Sequence, residues 1–542
     1  MLVRLSKLLG LTAVAVVLAS CASPHESTRN GTHADDFGTP VGTQSVKSGG
    51  DLVMGLSSEP DRLDPTTSSS LFTRYVMSSI CEKLYDNDSA GNLVPQLATA
   101  LPTVSPDGLT VTIPVRTGIK FADGTAFDAA AVQTSLQRHL TAKTSQRTSE
   151  MGPIAAIDAN GPGEVVLHFK TPFAPITAAL ADRAGMIMSP AELAKAGDNF
   201  GDSPVCVGPF KFAKRVPQTS IVVERDPNYY DAAHVHFDSI TYRIMVDANI
   251  RAANLRSGDI QVADYISPQD VDELSKNAQL RLLQTRSLGY MGLYLNVGNV
   301  DGAGKPAKPI DTPLAKDPRV RQALSLSIDR NAMVNTVFNG WYEGTCSPIV
   351  PGSAFATPAG TDCAAYDPAR SKQLLTEAGV QMPYHVKLQV QNSQDRMRYA
   401  QALQAEIAEG GFALDIVPTE YATLLDAQKS GAYEAILLGW SGRLDPDGTI
   451  SRFVTTGSSG NYSGYSSPQV DDLLGQAART GDTAKRADLY AQAVQIIQKD
   501  NPYLYTYRER LLTMHTTKVT GIEMYPDGVV RLGKAAFLAG NG

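Results

Sequence analysis

The stretch Val115-Arg116-Thr117-Gly118-Ile119-Lys120-Phe121-Ala122-Asp123-Gly124-Thr125 joins two elements of different type and so indicates the fold class. Before it, Leu109 to Val115 alternates apolar and polar residues, as a half-buried strand does. After it, Ala129 to Leu140 has helical spacing, and the Asp123-Gly124 dipeptide between them predicts a tight turn. Outward from this stretch, strand and helix patterns alternate without an internal repeat, which predicts an α/β fold.

Several other elements have clear patterns. Helices are predicted, from apolar positions three and four residues apart, at Leu71 to Leu84, Pro318 to Phe338, Pro368 to Gly379, Arg396 to Gly410 and Asp482 to Lys499. Strands are predicted at Asp51 to Gly55, Val386 to Gln391, Leu414 to Pro418 and Ala435 to Trp440. The turn formers between Tyr85 and Asn92 predict a hairpin connection.

Length and charge bound the function. The 542 residues exceed what one hydrophobic core organises, so two or more lobes are expected. The formal net charge of −7 argues against a nucleic-acid partner, because such proteins need a basic surface to replace counterions.

The N-terminus has the pattern of a secretory signal. Arg4 and Lys7 precede an apolar run from Leu8 to Leu18, and small residues lead to Cys21. Leu-Ala-Ser before a cysteine resembles the lipobox of bacterial lipoproteins, so we expect residues 1–20 to be removed and Cys21 to carry a lipid anchor. An ordinary signal peptide with a chance cysteine is the alternative. Residues 21–50 are polar and lack apolar periodicity, which predicts a flexible tether.

The remaining cysteines permit two disulfides. Cys81, Cys206, Cys346 and Cys363 are even in number, and a secreted chain meets an oxidising compartment. Three pairings are possible, and we favour Cys346–Cys363 with Cys81–Cys206 because the first pair closes a short loop. Four buried free thiols are the alternative.

A series of short motifs in fixed order resembles the peptide/nickel family of solute-binding lipoproteins that serve ABC importers. The motifs include Pro95-Gln96-Leu97-Ala98, Val115 to Thr125, Gly208-Pro209-Phe210, Glu224 to Tyr230, Asp317 to Arg330, Tyr366 to Arg370, Gly439-Trp440-Ser441, Gly464-Tyr465-Ser466 and Pro502 to Tyr505. The resemblance covers essentially all of residues 51–542. It implies two lobes joined by crossing strands, with a solute enclosed between them.

The resemblance also implies a division of the chain. Residues 51–81, 205–295 and 502–542 would form the core of the first lobe, 82–204 a subdomain inserted into it, and 296–501 the second lobe. Cys81 and Cys206 would then lie side by side where the chain leaves and rejoins the first lobe, which supports their pairing from a second direction.

In peptide-binding members the ligand lies as an added strand between two short segments. The matching positions are Ser69, Ser70, Leu71 and Phe72 in the first segment, and Gly439, Trp440, Ser441, Gly442 and Arg443 in the second. Peptide-binding relatives commonly have an aspartate at the position of Arg443, where it pairs with the ligand's α-ammonium.

This departure leaves two interpretations of Arg443 open. The guanidinium could bind an acidic group of the solute, with Asp445 taking over any ammonium, since arginine suits carboxylates. Alternatively, Arg443 pairs with Asp445 or Asp447 and holds the loop. Trp440 is predicted to stack on the ligand rather than fill the core, and Asn461 is a candidate ligand contact that could equally be a turn residue.

The prediction from sequence is therefore a monomeric, lipid-anchored receptor that captures short peptides and passes them to an ABC permease. No enzymatic activity, cofactor or metal site is expected, because recognised catalytic motifs are absent and His234 and His236 alone do not make a metal site. Binding of haem, a metal chelate or another small solute, or a scaffold or sensor role without transport, are the alternatives.

Overall fold

The computed structural model describes residues 33–540. The predicted signal peptide, the anchor residue Cys21 and the first part of the predicted tether lie outside the described residues. The α/β prediction is confirmed: two large mixed sheets, each covered by helices, organise the chain.

The first large sheet has seven strands. Across the sheet they run Leu280–Arg286, Arg510–Thr516, Val262–Ala263, Asp51–Leu56, Ser239–Ile244, Ser220–Arg225 and Phe210–Val216. Asp51–Leu56 is parallel to both of its neighbours, and the outer pairs are antiparallel. We call this sheet, with its helices and the inserted subdomain described next, the first lobe.

The inserted subdomain has its own antiparallel sheet. Its strands are Thr103–Val104, Thr110–Pro114, Glu164–Phe169 and Ile154–Ala159, beside a hairpin of Tyr85–Asn87 and Leu93–Pro95. All of them fall within the predicted range 82–204, and the predicted hairpin turn between Tyr85 and Asn92 is present.

The second large sheet has six strands and, with its helices, forms what we call the second lobe. Across the sheet they run Glu343–Gly344, Tyr503–Arg508, Tyr290–Leu295, Ala435–Trp440, Tyr384–Gln391 and Phe412–Thr419. The last three are parallel to one another where they pair.

The α-helices cover the faces of these sheets. They span Leu71–Ile80, Ala129–Thr141, Ile176–Ala179, Pro190–Ala196, Ala248–Ser257, Val271–Leu274, Pro313–Lys316, Pro318–Leu326, Arg330–Phe338, Pro358–Thr361, Pro368–Glu377, Gln394–Ile407, Tyr421–Ser430, Ser451–Val454, Pro468–Arg479 and Thr483–Asp500. Two small antiparallel sheets complete the first lobe. One contains Val46–Lys47, Ala536–Leu538 and Val519–Thr520, in that order, and the other pairs Glu523–Met524 with Val530–Arg531.

The lobe boundaries differ from those predicted at 296 and 502. Tyr290–Leu295 and Tyr503–Arg508 pair with each other in the second sheet, so the chain crosses between sheets at residues 287–289 and at Glu509. Both strands are buried along their whole length. A strand buried on both faces has no alternation to show which sheet it joins.

The predicted tether is shorter than residues 21–50. Asp35 pairs with Arg510, Asp36 with Arg281, and Val46–Lys47 adds to the strand Ala536–Leu538. Their partners lie far along the chain, so a sequence window that lacked apolar periodicity could not reveal this docking.

The prediction of a single helix from Pro318 to Phe338 is wrong. This segment forms two helices, because the Asp329 side chain accepts a hydrogen bond from the Ala332 amide and so starts the second helix at Arg330.

The favoured cysteine pairs lie at disulfide-bonding distance. The Cα atoms of Cys81 and Cys206 are 4.9 Å apart, and those of Cys346 and Cys363 are 5.6 Å apart. Within residues 33–540, no helix combines the length and apolar character needed to cross a membrane.

Candidate functional site

A cavity of about 120 Å³ lies between the two lobes. The first lobe contributes Ser57 and Ser58 after the strand Asp51–Leu56, Val246 and Ala248 after Ser239–Ile244, and Tyr265 after Val262–Ala263. The second lobe contributes Gln391 at the end of Tyr384–Gln391, Ser393 to Arg396 after it, and Ser441 after Ala435–Trp440. The parallel strands of both sheets thus direct their carboxyl ends at one space, the position where open α/β sheets bind ligands.

Six of the predicted ligand contacts line this cavity. They are Ser69, Leu71, Phe72, Gly439, Trp440 and Ser441. The two segments that the resemblance implied are therefore brought together across the lobes.

In the first segment the chain itself uses several backbone groups. The Ser69 amide donates to an Asp61 carboxylate oxygen at 2.7 Å. Ser70 caps the helix Leu71–Ile80, its hydroxyl accepting from the Phe72 amide, while the Ser70 carbonyl accepts from Arg183. This segment presents a fixed wall, with Phe72 edge-on to Tyr421.

In the second segment a strand edge is open. The Asn296 amide donates to the Glu434 carbonyl, which sets the alternation of this antiparallel pair. The backbone N–H and C=O groups of Leu438 and Trp440 therefore point toward the strand Tyr290–Leu295, and those of Gly439 point away from it. On that other side the parallel partner ends at the pair Val390–Leu437. The amide and carbonyl of Gly439 are therefore left at the cavity, next to Gln391.

Trp440, which was predicted to stack on the ligand, lies at the cavity with its ring held by other parts of the chain. The residue lines the cavity, its Nε1 donates to the Gly448 carbonyl, and the Arg443 guanidinium lies over the indole face, 4.1 Å from the ring centroid. The indole is thus held rigidly at the cavity wall.

Arg443 turns away from the cavity into the seam between the lobes. Its Nε lies 2.8 Å from Asp182 of the inserted subdomain, so its partner is neither Asp445 nor Asp447. Burial by itself raises the pKa of Asp182, but the guanidinium groups of Arg443 and Arg74 outweigh this and hold that pKa well below its usual range. The carboxylate is ionised and joins the lobes.

A second buried ion pair crosses the same seam. Arg452 of the second lobe lies 2.6 Å from Glu150 and donates to the Gln146 carbonyl, while Arg147 pairs with Glu150 from the other side. Beside the cavity, Gln391 donates to the Ser58 hydroxyl at 3.0 Å. With these contacts the lobes are closed on each other.

Asp445, Asn461 and Gly442 have structural contacts. Asp445 receives both terminal nitrogens of Arg486 at 2.7 Å. The Asn461 side chain bonds to backbone groups of Thr455 and Tyr465, and the Gly442 carbonyl accepts from Arg443. None of these three lines the cavity in the described chain.

Other functional candidates were missed by sequence reasoning. Arg74, Glu150, Asp182 and Arg452 form the seam, and Arg396 and Glu509 place a charged pair at the cavity. Arg396 was detectable, because it opens the predicted helix that follows the predicted strand Val386 to Gln391, and ligands of α/β proteins bind at the carboxyl ends of strands. The seam residues carried no local signal.

Asp447 lies at the seam and gives a test by pH. Burial and the neighbouring Asp445 raise its pKa to about 7, so the folded state holds a proton that the unfolded state releases near pH 4. As the pH rises from about 4 to about 7, Asp447 should therefore lower the free energy of unfolding by up to about 4 kcal/mol. Above about pH 7 its contribution should stay constant. We expect Asp447→Asn to remove that part of the pH dependence in chemical denaturation, and identical profiles for the two proteins would contradict it.

Among the described residues no group of three or more His, Cys, Asp or Glu side chains is arranged to hold a metal ion. His234 lies next to Asp231, 2.5 Å from its carboxylate.

Comparisons with known proteins agree with this geometry. The glutathione-binding protein GsiB of Escherichia coli (strain K12) is 30% identical over 495 residues, which cover 88% of this chain and 92% of that protein. The structure of the PBP AgaA in complex with agropinic acid, from A. tumefaciens R10, has a TM-score of 0.80 at 28% identity and covers 90% of this chain and 96% of its own. The Helicobacter pylori protein DppA in complex with the peptide STSA shares the fold, with a TM-score of 0.81 at 23% identity over 91% and 99% of the two chains.

Residues 92–461 match the profile described as bacterial extracellular solute-binding proteins, family 5 middle. Together with the two-lobed α/β fold and the cavity between the lobes, this shows that the chain belongs to the family 5 extracellular solute-binding proteins, the peptide/nickel family of ABC importers.

Proposed function

We propose that this protein captures short peptides between its lobes, by hydrogen bonds to their main chain, and delivers them to an ABC permease. The observation that carries the proposal is the open strand edge at Gly439, which faces the first-lobe segment of Ser69 to Phe72 across the cavity. An extended peptide added to such an edge is held through its amides, whatever its side chains.

The size of the cavity favours a short solute. Ligand pockets commonly measure about 300–1,000 Å³, whereas this one measures about 120 Å³ with the lobes closed. Di- and tripeptides fit such a space better than long peptides. The named ligand of the GsiB relatives, glutathione, is itself a tripeptide and is a natural probe.

The proposed activity is binding without chemistry. Main-chain hydrogen bonds of roughly 0.5–1.5 kcal/mol each select a shape and length of solute, and closure of the lobes makes the occupied state recognisable to a permease. In this proposal the protein acts as a monomer, held at the membrane surface by a lipid at Cys21. Cys21→Ala should then move the chain from the membrane fraction to the soluble fraction.

Calorimetric titration tests the proposal. Ala-Ala, Ala-Ala-Ala and glutathione are titrated into the protein under the same conditions. We expect at least one of them to bind with a dissociation constant in the micromolar range or lower. Ser69→Trp should weaken that binding by about a hundredfold, or about 2.7 kcal/mol, because the indole occupies the cavity.

Ser275→Trp is the matched control, since Ser275 is exposed at the end of a helix and away from the cavity. Wild-type protein that gives no heat with any of the peptides would contradict peptide capture and favour a scaffold. Equal affinities of Ser69→Trp and Ser275→Trp would place the site elsewhere.

A further inference from the structure

An ion pair faces the cavity at the point where the chain crosses between lobes. Glu509 is the one residue between the strand Tyr503–Arg508 of the second sheet and the strand Arg510–Thr516 of the first. Its Oε1 accepts from Arg396 Nη2 at 2.6 Å, and Arg396 also donates to the Tyr507 hydroxyl. Glu509 and Arg396 both line the cavity, with side chains 9% and 13% exposed.

The second oxygen of Glu509 has acceptor capacity left. Among residues 33–540 its only hydrogen-bond partner is the Tyr265 hydroxyl, which donates to it at 3.4 Å, the long end of the hydrogen-bond range. An ionised carboxylate offers about four acceptor sites. Oε2 can therefore accept further N–H groups without giving up Arg396.

Tyr265 is held at the cavity by a strained backbone. It is one of four non-glycine residues with positive φ among residues 33–540, at 44°. Its carbonyl accepts from Arg251 Nη2 at 2.9 Å, which fixes it in this conformation. Such conformations persist where the surrounding structure enforces them, and they cluster at ligand sites.

Arg443 and Asp445, the charged candidates from the sequence, are already engaged. Arg443 pairs with Asp182, and Asp445 takes both terminal nitrogens of Arg486. Asp395 also lines the cavity; it accepts from Ser267 and Arg398 through Oδ1, and its Oδ2 is the acceptor that competes with Glu509. Arg251 donates to three backbone carbonyls. The position where the sequence led us to expect an ammonium-binding carboxylate is thus closed to the solute.

We propose that the protein binds the free α-ammonium of its solute at Glu509 and Tyr265, on the segment that joins the lobes. This deepens the proposed function and depends on it, because it names the terminal group that the site reads. The ammonium donates to Glu509 Oε2 and the Tyr265 hydroxyl. Tyr265 belongs to the first lobe, and Glu509 is paired through its other oxygen with Arg396 of the second lobe, so an ammonium bound there contacts the first lobe and the crossing segment.

The experiment measures how peptides with free or chemically blocked termini bind to the wild type and to three variants. Ala-Ala-Ala, N-acetyl-Ala-Ala-Ala and Ala-Ala-Ala-amide are titrated into the wild type, Glu509→Gln, Tyr265→Phe and Glu343→Gln. Glu343 is the matched control, because it forms an exposed ion pair with Arg286 near the same crossing and does not line the cavity.

We expect acetylation to weaken wild-type binding at least tenfold and amidation to weaken it less. Glu509→Gln should bind the free peptide about tenfold more weakly and no longer distinguish it from the acetylated one. Tyr265→Phe leaves the ion pair between Glu509 and Arg396 intact and should reduce the difference in affinity between free and acetylated peptide. This variant therefore tests the ammonium site even if Glu509→Gln fails to fold. Glu343→Gln should behave as the wild type does.

Wild-type protein that binds free and acetylated peptides equally would overturn this inference and leave peptide capture standing. Undiminished discrimination in both Glu509→Gln and Tyr265→Phe would overturn it as well. Wild-type protein that binds none of the three peptides, nor any other short peptide, would overturn the proposed function and the inference with it.

Discussion

Asp182→Asn is expected to lower the free energy of unfolding by about 3–5 kcal/mol, the cost of leaving buried charges without their partner. Asp182 lies within 3.1 Å of Arg74 and 2.8 Å of Arg443, and all three side chains are at most 8% exposed. Asparagine has a similar shape but cannot neutralise them. Chemical denaturation, followed by circular dichroism, measures the loss.

The lobes can relieve part of this cost by opening, because Asp182 belongs to the first lobe and Arg443 to the second. We therefore expect weaker peptide binding in Asp182→Asn together with lower stability. Asp158→Asn is the control: Asp158 lies in the same inserted subdomain, in an exposed pair with His168, where such pairs contribute about 0–1 kcal/mol. Equal stability of the two variants would show that the seam does not hold the closed state.

The double substitution Cys81→Ser with Cys206→Ser is expected to lower the free energy of unfolding by about 5 kcal/mol. The two cysteines are separated by 125 residues, and the entropy lost by the unfolded chain rises with the length of the closed loop. A bond between these cysteines would also tie the start of the inserted subdomain to its end, beside the helix Leu71–Ile80, whose first residues line the cavity.

The second pair supplies an internal comparison. Cys346 and Cys363 are separated by 17 residues, so their removal should cost about 3 kcal/mol. Peptide mapping without reductant should recover these two linkages, and any other pairing would contradict the structure. A smaller loss for the long loop than for the short one would contradict the entropic argument.

Much of the fold was predictable because its elements are locally specified. The strand Ala435–Trp440 was predicted with its observed bounds, since a long apolar run between polar residues leaves little choice. The break at Ser327 to Asp329 was missed because an N-capping aspartate inside an amphipathic pattern does not interrupt its periodicity. The docking of Asp35 and Asp36 depends on arginines more than 200 residues away, which no local pattern contains.

The two segments that line the cavity were predictable, but the partners of its charged side chains were not. Ser69 to Phe72 and Gly439 to Ser441 do face each other, as the resemblance implied. The partners of Arg443 and Asp445 were not predictable, because Asp182 and Arg486 are distant in sequence and meet them only in the folded protein. For the same reason Glu509 did not stand out in a strand-rich C-terminal segment.

The central claim is that a peptide adds its main chain to the free edge at Gly439 between closed lobes. A crystal structure of the protein with a saturating tripeptide tests this most directly. We predict amide groups of the peptide at hydrogen-bond distance, about 2.7–3.2 Å, from the Gly439 nitrogen and oxygen. A peptide bound outside the cavity, or inside it without contact to the Gly439 backbone, would contradict the account.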